Sequence, residues 1–186
     1  MSNKETFISL CQSIKRPGMP ELLAWLESSD FFTAPASTRY HGAYDGGLVE
    51  HSLNVYNELK RLIAIYPEIN AAEESLVIIA LFHDLCKVNM YGKEVKYRKD
   101  TQGKWETYDA YVHNEELHYG GHGSKSVFIP QNFIRLLPEE AVSINCHMGT
   151  WDGENNVIAA AWEHCPLAWL LHVADESATF VKEARA

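Results

Sequence analysis

The chain has 186 residues, of which 46% are hydrophobic, and a formal net charge of −9 at pH 7. This length and composition favour one globular domain with a substantial core and exclude a disordered chain. The net negative charge argues against binding of long duplex nucleic acid, which needs a basic face. The sequence contains no run of about 18 apolar residues, so no membrane span is predicted.

Two short helices are predicted at the N-terminus. Residues 4–15 carry apolar side chains at helical spacing, and a Pro-Gly break separates them from a second helical segment at 19–29. We expect residues 1–35 to form a helical extension of a single domain that spans residues 1–186. The N-terminal residues have no signal-peptide pattern, which favours a cytoplasmic protein without a membrane partner.

A glycine-rich segment at 39–47 leads into a helix predicted over about 48–66. The glycines indicate an irregular backbone. Arg39 and His41 in this segment could contact a substrate phosphate or donate a proton, and a structural loop role is an equal alternative. His51 lies on the inner stripe of the helix. Alone it would more often be a hydrogen-bonded core residue, but the residues downstream favour a metal ligand.

A histidine–aspartate pair follows an apolar run at residues 75–82. The run has the composition of a buried helix, which we predict over about 72–88. His83 and Asp84 would need a strong partner there, and a bound cation is the commonest one. Lys87 lies four residues after His83 and three after Asp84, so the spacing predicts all three on one helix face.

Two strands and a polar turn are predicted near residues 93–112. Between Lys87 and Lys104 six residues are basic and only two are acidic. Such a segment could attract a small anionic substrate, or it could be an ordinary solvated hairpin, and the sequence leaves both interpretations open. Because the hairpin follows the histidine–aspartate pair directly, we expect it near the mouth of any site.

Three more candidate ligands lie in the C-terminal half. His122 is flanked by glycines at the start of a predicted helix, His147 lies on the next helix, and Asp175 lies in the inward region of the last helix. Lys125 and Ser126 follow His122 at a helix start, where backbone N–H groups and a cation suit an anion. Contact with a substrate phosphate is therefore predicted for both residues.

Four histidines and two carboxylates on different elements suit one or two divalent metals. The mixture of imidazole nitrogen and carboxylate oxygen favours Mn²⁺, Fe²⁺, Co²⁺, Ni²⁺ or Zn²⁺ over Ca²⁺. Six ligands are too many for one catalytic metal with an open position, but they suit a pair about 3.5–4 Å apart that shares a carboxylate, with Asp84 as the expected bridge. The predicted ligands are His51, His83, Asp84, His122, His147 and Asp175.

The order of these residues resembles a known family. His51, then His83-Asp84, then Asp175 is similar to the H…HD…D signature of the HD superfamily of metal-dependent phosphohydrolases, and Lys87 extends it to the HDxxK variant. The resemblance implies an all-helical core around the metals, with the lysine close to the substrate phosphate or the bridging water.

Two further segments carry the same resemblance. Residues 46–52, GGLVEHS, are similar to the GGLxEH segment of small bacterial and prophage HD proteins, and residues 121–126, GHGSKS, resemble their GHGxKS segment. His122 and His147 resemble the extra histidines of binuclear members, which include cyclic dinucleotide and cyclic nucleotide phosphodiesterases and 3′→5′ exoribonucleases. The chain lacks a GYP motif, which argues against a bacterial cyclic-di-GMP enzyme. The resemblance covers about residues 35–180.

Together these features predict an all-α protein, an HD-type helical bundle with a β-hairpin inserted near 93–112. The predicted function is hydrolysis of nucleotide phosphodiesters, cyclic or short linear, through a metal-bridging hydroxide, with Asp84 and Lys87 as catalytic residues. A nucleotidase or dNTP phosphohydrolase is the enzymatic alternative, and a non-catalytic nucleotide-binding regulatory module is an alternative of another class. The expected partner is a small phosphorylated substrate, and the oligomeric state stays open.

Overall fold

The computed structural model describes residues 1–114 and 120–183 of the chain. The predicted domain of residues 1–186 therefore extends over two segments, 115–119 and 184–186, that lie outside the described residues. The helices and strands, in chain order, are α1 (Asn3–Ser13), α2 (Met19–Ser28), α3 (Gly47–Ile65), α4 (Glu73–Phe82), β1 (Tyr91–Lys99), β2 (Trp105–His113), α5 (His122–Gln131), α6 (Pro138–Cys146), α7 (Asn155–His164) and α8 (Pro166–Ser177). Short 3-10 turns cover Leu85–Lys87 and Gly149–Trp151, and a π-helical turn, Ala178–Lys182, follows α8.

The prediction of an all-α protein is wrong. Helices account for 57% of the structure, but β1 and β2 form a two-stranded antiparallel sheet. Its register pairs Tyr91 with His113 at one end and Lys99 with Trp105 at the other. The alternation of β-branched and aromatic residues around a polar turn stabilises extended backbone here, although the rest of the chain is helical. The protein is therefore mostly helical with a small sheet.

The sheet lies outside the hydrophobic core. None of the described residues of β1 and β2 belongs to the clusters of buried apolar side chains. Asp45, in the loop before α3, holds the hairpin at its base, where its Oδ1 accepts a hydrogen bond of 2.8 Å from Lys93 Nζ and another from the Tyr111 hydroxyl. The hairpin is thus fixed to the helical body by polar contacts.

Helix α4 is the centre of the helical body. All of its residues from Ser75 to Phe82 are buried, because α1, α3, α5 and α6 pack around it. The main core contains side chains from the N-terminal helices as well as from α3, α4, α6 and α8. A buried helix needs apolar residues all round, which is why this run lacks the polar stripe of a surface helix.

The end of α4 differs from the sequence prediction. The helix stops at Phe82, and the segment that follows forms a turn and then the 3-10 turn Leu85–Lys87, so the helix does not continue to residue 88. His83 still has helical backbone angles, but Asp84 has φ −108° and ψ 18°. This break turns Asp84 out of the helix and toward the ends of α5 and α6.

No single helix among the described residues is long and apolar enough to cross a membrane. Two consecutive helical segments, Asn155–His164 and Pro166–Lys182, are together long and apolar enough, but they are bent by 113° relative to each other.

Candidate metal centre

The structure brings the six predicted ligands together at the inner ends of five helices. Asp84 is the central residue, and its side chain is 3% exposed. His51 comes from the start of the second turn of α3 and Asp175 from α8, whereas His83, His122 and His147 lie at the end of α4, the start of α5 and the end of α6. Side chains that are distant in sequence therefore surround one carboxylate.

One group of ligand atoms lies on the Oδ2 side of Asp84. His51 Nε2 is 3.6 Å from Asp84 Oδ2, 3.1 Å from Asp175 Oδ1 and 3.2 Å from His83 Nε2. His83 Nε2 is also 3.6 Å from Asp84 Oδ2. His51, His83 and Asp84 form one group whose ligand atoms lie within 4.8 Å of one another, and Asp175 lies beside His51, so this side of Asp84 offers a position for one cation.

A second group lies on the Oδ1 side of Asp84. His122 Nε2 is 2.6 Å and His147 Nε2 is 3.7 Å from this oxygen. The ligand atoms of Asp84, His122 and His147 lie within 4.8 Å of one another, as do those of His51, His83 and Asp84. These two triplets share only Asp84, which is the arrangement that a carboxylate bridging two cations would need. A third triplet, His83, His147 and Asp175, connects the two sides of the site.

Two of the histidines are oriented by the same local device. His83 and His147 each follow the last residue of a helix, and the Nδ1 of each donates a hydrogen bond to the carbonyl three residues earlier, at 2.8 Å to Ala80 and 2.6 Å to Ile144. Helix ends leave such carbonyls without a helical partner. With the proton held on Nδ1, the lone pair of Nε2 faces the centre of the site.

The separation of two of the imidazole nitrogen atoms fits a shared metal. Two ligand atoms at about 2.1 Å from one ion lie about 3.0–3.4 Å apart in octahedral or tetrahedral coordination, and the Nε2 atoms of His51 and His83 are 3.2 Å apart. His147 Nε2 is buried and has no hydrogen-bond partner among the described residues. An orphaned buried acceptor is costly, so a cation at this point would satisfy it.

Charge in the site is unevenly distributed. Burial lowers the pKa of His83 to about 4 and also lowers that of His122. Burial also acts to lower the pKa of His51, but hydrogen bonds to Asp175 and Glu183 outweigh it and raise the pKa to about 10. A divalent cation at these atoms would displace the His51 proton, as metals generally do when they bind histidine.

Lys87 is the cation next to the bridging carboxylate. Its Nζ lies 2.6 Å from Asp84 Oδ2, and its side chain is 11% exposed. Burial opposes the charge on Asp84, but Lys87 and then His83 hold the pKa of this carboxyl well below its usual range. Asp84 is therefore ionised at any physiological pH and available as a ligand.

Glu183 completes the site and was missed by sequence reasoning. Its two carboxylate oxygens lie 3.1 and 3.2 Å from His51 Nδ1, and Asn54 donates a hydrogen bond of 2.9 Å to it. A carboxylate that holds the outer nitrogen of a histidine is the usual support of a metal ligand. Glu183 lies eight positions after Asp175, and in a regular α-helix this offset would point the two side chains about 80° apart. The π-helical turn between them changes this direction.

Glycines in the two motif segments allow the ligand-bearing elements to approach closely. A Cβ atom on Gly47, which begins α3, would lie 2.0 Å from the carbonyl oxygen of Gly42. A Cβ atom on Gly123 would lie 2.0 Å from the carbonyl oxygen of Asn145 in α6. Larger residues at these positions would push His51 and His122 out of the site.

The predicted substrate residues lie in different surroundings. His41 is half-buried, its ring centre is 4.8 Å from that of His51, and it lines the cavity above Asp84. Arg39 is exposed and donates a hydrogen bond of 2.7 Å to the Tyr40 hydroxyl. Both remain candidates for contact with a substrate.

Lys125 and Ser126 are separated by the helix. Ser126 is fully buried, and its hydroxyl accepts a hydrogen bond of 3.1 Å from the backbone N–H of Cys86. This hydroxyl therefore holds the turn after Asp84 and does not face the cavity, unlike the sequence prediction. Lys125 lines a small cavity of about 130 Å³ together with His122.

A cavity of about 470 Å³ opens above the ligands. Asp84, Lys87, His122 and Asp175 form part of its lining. Three aromatic side chains also line it and are largely exposed, with 71% of Tyr40, 80% of Trp151 and 65% of Phe180 accessible to solvent. The sequence gives no periodic signal for these three, because they lie on separate loops and turns.

Comparison of the chain with protein-family models, curated proteins and solved structures finds no match. The geometry itself supports a coarser statement. The His and Asp clusters are compatible with an HD-like site, and their buried atoms could hold metal ions.

Proposed function

We propose that this protein is a metal-dependent phosphohydrolase of the HD type that cleaves phosphodiesters of nucleotides. The observation that carries this proposal is the convergence of four imidazole Nε2 atoms on the two oxygens of one buried aspartate, Asp84. The sequence resemblance to the HD signature supports the same assignment. A purely structural role would not require this concentration of ligand atoms beneath an open cavity.

The six predicted ligands are assigned to two cations. His51, His83 and Asp175 would hold one cation, His122 and His147 would hold the second, and Asp84 would bridge them. Two divalent cations in such a site activate water at neutral pH and offset charge on the phosphoryl oxygens. The side chains that line the cavity must bind the phosphodiester at the cavity floor and hold it there.

Lys87 is the residue best placed to bind the phosphate. Its ammonium group lies in the lining of the cavity and is already charged, because burial, which opposes the charge, is outweighed by Asp84, so that the pKa of the lysine is raised. An anionic phosphoryl oxygen near this group would gain a charge-assisted hydrogen bond. Lys87 would thus orient the ester and offset negative charge that develops during cleavage.

The rim of the cavity favours nucleotides over simple phosphate esters. Tyr40, Trp151 and Phe180 offer exposed aromatic faces next to the proposed phosphate position. Nucleobases stack on such faces, at about 1–3 kcal/mol for each stacked base. This rim is the reason for preferring a nucleotide substrate.

The proposal is tested by metal content and by hydrolysis of bis-p-nitrophenyl phosphate. Protein reconstituted with Mn²⁺ is expected to hold close to two equivalents of metal and to hydrolyse this diester, whereas Asp84→Ala abolishes hydrolysis. Because alanine leaves Lys87 without its carboxylate, the isosteric Asp84→Asn is tested beside it, and circular dichroism checks the fold. The exposed Glu163→Gln removes the same charge far from the site and is the control.

Two results would contradict the binuclear phosphohydrolase. One is a metal content of one equivalent or less after reconstitution, and the other is undiminished turnover by the Asp84 variants. A screen of cyclic nucleotides, cyclic dinucleotides, linear dinucleotides and nucleoside mono- and triphosphates then distinguishes a phosphodiesterase from a nucleotidase. Tight nucleotide binding without turnover would support the regulatory alternative.

A further inference from the structure

A second cavity adjoins the one above the metal ligands. It is a groove of about 900 Å³ between the loop at residues 38–43 and the hairpin, lined mainly by β2. Tyr40 lines both this groove and the cavity that contains Asp84. The two spaces therefore meet at one exposed tyrosine, and a single ligand could extend from one into the other. Cavities of about 300–1,000 Å³ are large enough for drug-sized ligands, so each of the two is large enough for a nucleoside.

The groove contains the chemistry that a nucleoside needs. Tyr108, half-buried on β2, offers an aromatic ring, and the Arg98 guanidinium lies 4.9 Å from the centre of that ring. Lys96 faces Tyr108 across the strands, and Arg39 lies on the opposite wall. A ring, with cations beside it, suits a base and a phosphate together.

The charge of the groove limits what it can hold. Its lining has two cations, Arg39 and Lys96, and the carboxylate of Glu94, which lies on the same face of the hairpin as Lys96 and Tyr108. Asp109 neighbours Tyr108, so its carboxylate points to the opposite face. A channel for a long single strand would have an excess of cations along its whole length. The single excess cation of this lining instead suits one nucleoside that carries no more than one further phosphate.

The walls of the groove are fixed in place by polar contacts. The Ser37 hydroxyl donates a hydrogen bond of 2.7 Å to the His41 carbonyl and accepts one of 2.8 Å from the Tyr40 backbone N–H. Asp45 joins this loop region to the hairpin through Lys93 and Tyr111. A preformed groove costs less ordering on binding than a mobile loop would.

We propose that this groove is a second nucleoside subsite, which binds the part of the substrate on the far side of the scissile phosphodiester. This inference rests on the proposed function, because it places the scissile phosphate at Lys87 and Asp84. One nucleoside lies against Trp151 and Phe180, the chain passes Tyr40, and the second nucleoside stacks on Tyr108. The preferred substrate is accordingly of dinucleotide size.

The test compares a linear dinucleotide with the methyl ester of the same nucleotide, which has nothing to place in the groove. For the Mn²⁺-reconstituted protein we expect the dinucleotide to have the higher kcat/KM. Tyr108→Ala is expected to lower kcat/KM for the dinucleotide by about tenfold, the value of one stacked base, and to leave the methyl ester unaffected. Lys96→Ala, an exposed position, is the second variant and should act in the same direction.

Tyr97→Ala is the matched control. Tyr97 is 70% exposed and does not line the groove. It neighbours Lys96, the cross-strand partner of Tyr108, so its side chain points to the opposite face of the hairpin. Its substitution removes the same type of aromatic ring from the same hairpin and should leave kcat/KM for both substrates unchanged.

The outcomes separate this inference from the proposed function. If bis-p-nitrophenyl phosphate and the dinucleotide are both inert, the phosphohydrolase itself is wrong. If the diester is cleaved but Tyr108→Ala and Lys96→Ala affect the methyl ester and the dinucleotide equally, only the second subsite is overturned. A tetranucleotide cleaved far better than the dinucleotide would likewise overturn it, because the single excess cation of the groove would then not limit the length of the substrate.

Discussion

At the scale of single residues, the orientation of the imidazoles is what makes the site suitable for metal. His83 and His147 use the free carbonyl at the end of their own helices to hold Nδ1, so no other element is needed to turn Nε2 inward. His51 lies inside α3, at the start of its second turn, and lacks such a carbonyl. It depends on Glu183, which is supplied from the end of the described chain.

Substitution of Glu183 therefore tests the orientation of His51. Glu183→Gln keeps the shape of the side chain but removes the charge that holds the His51 N–H, and the loss of such a supporting contact typically costs about 10–100-fold in metal affinity. Titration with Mn²⁺ or Zn²⁺ measures the effect, and Glu163→Gln is the control. An unchanged affinity would mean that Glu183 only packs against the ring.

Single residues also show how far the sequence could predict the site. The motif residues have characteristic neighbours and spacings, so the sequence predicts the six ligands, and the structure brings them together. Glu183 has no such signal, because its direction depends on a π-helical turn that no residue pattern marks. For Ser126 the sequence predicts contact with a substrate phosphate, but its hydroxyl is buried against the Cys86 backbone N–H. A helix start that suits an anion does not determine which way each side chain points.

At the scale of elements, the hairpin is an addition to the helical body. Its side chains are absent from the described core, and its contacts with the body include the polar links to Asp45. Two runs of strand-forming residues on either side of a polar turn predict its strands, because the two runs are close enough in sequence to pair. The end of α4 was harder to predict, since Leu85, Cys86 and Val88 continue the apolar pattern after the helix has stopped.

Removal of the hairpin tests whether the helical body is stable without it. Because the register pairs Gly92 with Val112, residues 93–111 can be replaced by a two-residue Asn-Gly turn without separating the strand ends. We expect Tm to change by less than about 4 °C, because no core side chain is lost. Hydrolysis of bis-p-nitrophenyl phosphate should persist while the preference for the dinucleotide disappears.

The hairpin deletion has two informative failures. A large fall in Tm would show that the sheet supports the helical body. An equal loss of activity on the generic diester and on the dinucleotide would show that the hairpin is needed for the metal site itself and not for the choice of substrate.

At the scale of the whole molecule, Arg16 connects the N-terminal helices to the metal-bearing helices. It lies between α1 and α2, donates hydrogen bonds of 2.5 and 2.6 Å to the fully buried Glu140 of α6, and donates one of 3.1 Å to Glu74 of α4. Glu140 also accepts a hydrogen bond of 2.6 Å from Ser75. A buried carboxylate with this many donors depends on all of them.

Arg16→Met is expected to lower the free energy of unfolding by about 3–5 kcal/mol, because it leaves Glu140 charged and unpaired in the core. Adding Glu140→Gln to this variant should restore part of the loss, since the buried charge is then removed. Urea unfolding measures both. The exposed ion pair between Lys60 and Glu73 is the control, and Lys60→Met should cost less than about 1 kcal/mol. A similar small cost for Arg16→Met would contradict a structural role for the network.

Metal should stabilise the whole molecule, because its proposed ligands come from α3, α5 and α8 and from residues that directly follow α4 and α6. A cation that binds only the folded chain adds about 2.7 kcal/mol at 100 times its Kd, which for a chain of this length raises Tm by about 5–10 °C. Thermal unfolding of chelator-treated protein with and without Mn²⁺ measures this. Asp84→Asn, which weakens the bridge, should lose most of the increase, while Glu163→Gln keeps it. An equal increase in Asp84→Asn would mean that the stabilising ion binds elsewhere, and the helix ends would then be held together by protein contacts alone.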